Sequence, residues 1–142
     1  MPGLDVAEAR RRFTAARVAR LATLRADGRP HLVPIVFAMD GDTIYSIADP
    51  KPKDGLDLLR HRNIAASPDV SVLVDLYDES WERLWWVRAD GTARVAAAGA
   101  DREAAIRLLR EKYPQYATWT TPFGAATVIH VVRWVGWGLA DR

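Results

Sequence analysis

The chain contains no cysteine, which excludes disulfides, cysteine–zinc sites and thiol catalysis. Histidine is nearly as scarce: His31, His61 and His130 are the only three, and no pair has metal-ligand spacing. No acid/base pair stands out either. Long hydrophobic runs are missing. The most apolar region, TVIHVVRWVGWGLA, is short and carries Arg133, so it does not read as a membrane span. The N-terminal stretch is charged from Asp5 onward and lacks the apolar core of a signal peptide. Excess charge of one sign is small as well. The net charge of +2 does not fit a nucleic-acid binder, and Arg10, Arg11 and Arg12 read as a solvated helix face beside Glu8. These absences point to a soluble, cytoplasmic protein that binds neither nucleic acid nor a membrane. With no repeat and no linker, residues 1–142 read as one domain.

What is present is mostly short and β-rich. Asp5 to about Ala16 reads as a helix with Asp5 at its N-cap. RVARLATL, PHLVPIVFAM and TIYSIAD follow as three strands of a meander, the first turn marked by Asp27-Gly28. The run from Pro30 to Met39 is apolar on both faces, as expected inside a barrel or beneath a partner subunit. Pro34 cannot donate to a ladder, so it points to an edge, a bulge, or a place where something other than a strand approaches. GLDLLRHRNIAAS reads as a helix ended by Pro68, and Val70, Val72, Val74 and Leu76 alternate along the next strand. LWWVRADGTARVAA is a further strand in which Asp90-Gly91 is either a hairpin turn or a bulge. Trp85 and Trp86 point to opposite faces of it. DREAAIRLLREKY is a helix expected to be N-capped by Asp101, and the last strand is rich in tryptophan. The order predicts a mainly β fold, a small barrel with flanking helices.

Of twenty basic residues only three are lysine, and two of them, Lys51 and Lys53, sit together in ADPKPKDGL. Pro50 and Pro52 each fix φ near ~−65° and hold the residue before them extended. Both ammonium groups are thus presented from a stiffened loop just ahead of a helix start near Gly55, a reasonable phosphate cradle. Asp54 works against it, because a carboxylate there repels an anion and caps the same N–H groups. The third lysine, Lys112, lies on a separate helix.

The ordered set LATL, DGRPHLVP, GDTIYSIAD, the basic loop, NIAASPDVSVLVD, WVRADGTARV and VVRWVGWG resembles the pyridoxamine phosphate oxidase-like split-barrel proteins. Within them it is most similar to the actinobacterial branch that binds coenzyme F420, a deazaflavin. The resemblance implies a split β-barrel homodimer with cofactor sites at the subunit interface. It implies that Lys51 and Lys53 contact the cofactor's phosphate. The ring would lie along His31, Leu32, Val33, Pro34 and Ile35. Ser46, Ile47 and Ala48 would form the pocket floor, and Trp137 would contact the partner's cofactor. The function implied is an F420-dependent oxidoreductase acting on a small organic acceptor. The alternatives are an FMN-dependent flavoprotein of the same fold, or a carrier that binds F420 or a flavin- or tetrapyrrole-like ligand without turnover. No metal is implied.

Overall fold

The structure is a computed structural model, which describes residues 3–48, 58–120 and 122–139. Asp5 caps α1 (Val6–Ala15) as its position predicts, its side chain accepting from the Glu8 N–H at 2.8 Å. The chain continues through β1 (Ala19–Leu24), β2 (Pro30–Ile35), β3 (Ala38–Asp40) and β4 (Thr43–Ile47). Next come α2 (Leu59–Ala66), β5 (Asp69–Leu76), β6 (Trp85–Ala96), α3 (Ala100–Lys112), α4 (Pro114–Ala117) and β7 (Ala126–Gly138). All strand pairs are antiparallel, in one seven-stranded sheet of order β2-β1-β5-β6-β7-β4-β3. The mainly β split-barrel architecture with flanking helices is therefore the one expected. Among the described residues no helix is long and apolar enough to cross a membrane.

The first strands do not form the expected meander. The single strand expected over Pro30–Met39 breaks at Val36 and Phe37, and its halves, β2 and β3, occupy opposite ends of the strand order. Phe37 explains the break. Its ring is fully buried, and its N–H donates to the Tyr113 hydroxyl at 3.2 Å instead of to a ladder. The same hydroxyl lies 3.0 Å from both the Phe37 and Arg17 carbonyls, so one tyrosine takes over backbone pairing at the split. Pro34 falls on an edge strand, where a missing N–H is tolerated.

The barrel interior is filled by alternating residues such as Leu21, Val72, Val74 and Val87, all fully buried. Leu76, expected on the same face, is exposed at the strand end. Helix α1 plugs one end: Phe13 packs on Phe37 and on Trp134, ring centroids 5.0 and 5.1 Å apart. Helices α3 and α4 bring a second apolar cluster, including Leu109, Tyr116 and Phe123, against Ala38 and Ile47. The expected cap of α3 is corrected. Gly99 is the N-cap, with φ of 92°, and Asp101 sits in the first turn, where it pairs with Arg94.

Asp90-Gly91 is a bulge and not a turn. Strand β6 runs straight through it, while the register on β7 jumps from Arg133 opposite Asp90 to Val131 opposite Gly91, leaving Val132 as the extra residue. Gly91 is required by close approach, since a Cβ there would stand 2.2 Å from the His130 carbonyl oxygen, which belongs to rigid backbone. Gly91→Ala is expected to destabilise the fold by about 1–3 kcal/mol, the usual range for overpacking. Urea unfolding checks this.

Candidate functional site

Among the described residues strand β2 has a neighbour on one side only, so the backbone donors and acceptors of its other edge are left open by them. The five residues expected to contact a ring alternate across it. His31, Val33 and Ile35 turn inward, and Ile35 is part of the core. Leu32 and Pro34 turn outward, and Leu32 is 65% exposed. A flat ligand along β2 therefore meets one set of side chains or the strand edge, not all five side chains together. His31 is opposite Thr23, whose hydroxyl accepts from the Asn63 side chain at 3.0 Å. The His31 Nδ1 is buried and has no hydrogen-bond partner among the described residues. A buried imidazole nitrogen left unpaired costs stability, and a bound group could satisfy it.

Ser46, Ile47 and Ala48 are covered by the chain's own residues. The Ser46 hydroxyl donates to the Val36 carbonyl at 2.9 Å, Ile47 belongs to the cluster under α3, and the Ala48 backbone pairs with residues 124 and 125. They form a wall from which residues 49–57 lead to Leu58. Lys51 and Lys53, with Pro50, Pro52, Asp54 and Gly55, lie outside the described residues. Helix α2 begins at Leu59 and not near Gly55, and its N-cap Leu58 offers no side-chain cap. The N-cap residue itself adds no side-chain acceptor there, and the His61 and Arg62 N–H groups turn to the Leu58 carbonyl at 2.9 and 3.2 Å.

Across β2, β1, β5, β6 and β7 the register lays out a continuous outer face. One row runs Pro34, Arg20, Leu73, Arg88, Val135, and the next runs Leu32, Ala22, Ser71, Asp90, Arg133. Leu73 is 36% exposed. At the middle of the face the Ser71 hydroxyl donates to Asp90 at 2.7 Å, and Arg88 donates to both Asp90 oxygens at 2.9 and 3.2 Å. Burial works against the Asp90 charge, but the hydrogen bonds from Arg88 and Ser71 outweigh it and hold the carboxyl below its ordinary range. Trp137 lies on this face directly opposite Trp86. Trp85 turns the other way, to the core and the Arg12 guanidinium, as the alternation predicts.

Sequence reasoning missed the Ser71–Asp90–Arg88 cluster. Arg88 and Asp90 stand two apart on a strand and so share a face, but Ser71 joins them only through the β5–β6 register. Lys112 is also not the free surface charge its sequence position implies. Its ammonium sits 3.8 Å above the centre of the Phe37 ring and donates to the Thr14 carbonyl at 3.1 Å. Burial, with the Arg17 charge beside it, pulls its pKa down to about 8. His130 is exposed on β7, away from His31.

A model of the pyridoxamine 5'-phosphate oxidase family matches residues 6–134. The chain belongs to that family. No curated protein sequence matches it. Among solved structures, a FAD-binding protein from Mesorhizobium loti is 24% identical over 95% of both chains, with a TM-score of 0.70. A FAD binding protein from Mycobacterium smegmatis is 18% identical, covering 96% of this chain and 98% of that one, with a TM-score of 0.66. A heme binding protein from the same organism is 21% identical over 95% of this chain and 54% of its own, with a TM-score of 0.71. At these identities the likeness is one of fold. This pyridoxamine 5'-phosphate oxidase family member thus combines an open strand edge, an unpaired buried imidazole and an outer face that no described helix covers.

Proposed function

We propose that this protein is a homodimer that holds coenzyme F420 where two copies meet, and that it transfers a hydride from the reduced cofactor to a small organic acceptor. The observation that carries the reading is the open edge of β2 beside an outer face that no described helix covers. The residues present fit the group. A deazaflavin ring presents amide-like donors and acceptors on one edge, which match unpaired backbone groups of β2. Its flat apolar surface suits Leu32 and Pro34. Its phosphate suits Lys51 and Lys53, on the segment between Ala48 and the start of α2.

When bound, the deazaflavin supplies the hydride. The chain supplies position and electrostatics. Val33 and Ile35 keep β2 seated on the core, so its outer edge is rigid. Ser46, Ile47 and Ala48 back the site and set where the basic segment departs. A second copy over Leu32 and Leu73 excludes water, and Trp137 reaches toward the partner's site across the same face.

A second reading, a flavoprotein using FMN, has support from the two FAD-binding neighbours. A carrier without turnover is the third, with the heme-binding neighbour on its side. Turnover separates enzyme from carrier. With reduced F420 and a panel of small quinone, nitro and enone acceptors, the proposal predicts enzyme-dependent reoxidation of the cofactor with at least one acceptor class. Reoxidation no faster than without protein, under conditions where F420 is bound, leaves the carrier reading.

A further inference from the structure

The other half of the outer face carries a group of side chains that the proposed cofactor site does not use. The register sets Thr43 on β4, His130 on β7 and Thr92 on β6 in one row, with Tyr45, Val128 and Arg94 in the next. Helix α3 covers the sheet beyond them and lends Asp101 from its first turn. Together they line a cleft of about 240 Å³. It lies toward the N-terminal end of β4, the end opposite Ala48 and the lysine segment.

Tyr45 is the second observation. Its ring is held under α3, while its hydroxyl makes no hydrogen bond to a described residue and opens onto the cleft. Burial first, then the charges of Asp101 and Asp40, raise its pKa, so the hydroxyl stays neutral, both donor and acceptor. The Thr43 and Thr92 hydroxyls face the same space. On the opposite wall Arg94 and Asp101 form an ion pair. That wall offers donors and acceptors but no net charge. An incoming anion would meet Asp101, and an incoming cation would meet Arg94. A neutral molecule with several hydroxyls meets neither penalty and finds partners on every side. Val128, buried between the two polar walls, gives a small apolar floor suited to the C–H face of a sugar ring.

We propose that this cleft is a binding site for a small neutral polyhydroxylated ligand, a single sugar ring or a short polyol. The assignment stands independently of the cofactor reading. The test is a nuclear magnetic resonance titration of isotopically labelled protein. Ribose, glucose and glycerol are the polyol probes; acetate, inorganic phosphate and glycine are the charged ones. A polyol is expected to give saturable shifts centred on Thr43, Thr92 and His130. Tyr45→Phe removes only a hydroxyl with no protein partner and should keep the fold. It should weaken polyol binding roughly three- to tenfold, the loss of one neutral hydrogen bond, and Thr92→Val should act in the same direction. The assignment is overturned by absence of saturable shifts with every polyol up to about 100 mM. Tighter binding of acetate, phosphate or glycine than of any polyol overturns it too, as does unchanged polyol affinity in Tyr45→Phe.

Discussion

Lys53→Ala is expected to bind F420 roughly ten- to hundredfold more weakly than the parent chain, because one charge-assisted contact is worth ~1.5–3 kcal/mol. Lys51→Ala is expected to lose less, since Lys53 stands closer in sequence to the start of α2. The melting temperature should not move, as a lysine whose role is to bind the cofactor contributes little to folding. The control for general loss of positive charge must be chosen with the structure in hand. Lys112 looks suitable by sequence but is packed over Phe37, so its removal would perturb the split between β2 and β3. Arg29, with its side chain 83% exposed in the β1–β2 turn, is the better control. If Lys53→Ala binds F420 as well as the parent at low salt, the two lysines are an ordinary solvated loop.

Leu73→Arg is expected to split the dimer and the cofactor site together. Leu73 sits between Arg20 and Arg88 in one row of the outer face. A third arginine there puts like charges side by side and places a charge where the partner's apolar surface should close. A loss of about 2 kcal/mol per copy is typical of a central interface residue. Across a two-fold contact it counts twice, which raises the dimer dissociation constant about a thousandfold. Because Leu73 is partly exposed in the single chain, the monomer should still fold. Sedimentation at micromolar protein reads the mass, and F420 affinity measured on the same sample should collapse with it. A monomeric variant that keeps full affinity would place the site within one chain. A parent protein that sediments as a monomer would remove the interface altogether.

Local chemistry made much of the fold legible in the sequence. Asp5 at the start of α1, Asp27-Gly28 between β1 and β2, and the alternation of Val70, Val72 and Val74 each act through neighbours in the chain, and each appears where expected. The errors arise where a distant residue decides. Nothing near Phe37 shows that Tyr113 will take its backbone groups and end the strand. Nor does Gly91 show by itself that the His130 carbonyl will press on it. At α3 the error was local: Asp101 is a good cap by type, but Gly99 already occupies the cap position and frees Asp101 to pair with Arg94. The candidate site divides the same way. Pro34 on an apolar run left an edge, a bulge or a non-strand approach open, and the strand order shows the edge. The row that joins Ser71 to Asp90 needed the register of β5 on β6. Lys51 and Lys53 rest on composition, proline stiffening and family resemblance, because the segment that carries them lies outside the described residues.

The central claim is that this family member takes F420 in preference to a flavin. A parallel titration with F420, FMN and FAD tests it most directly. Tryptophan fluorescence serves as the readout, since Trp86 and Trp137 pair on the outer face, which is the face proposed to border the cofactor. The account predicts a colourless protein as purified, one F420 bound per subunit, and F420 affinity at least about tenfold above that for FMN or FAD. A yellow protein as purified, or FMN or FAD bound about tenfold more tightly than F420, would contradict it.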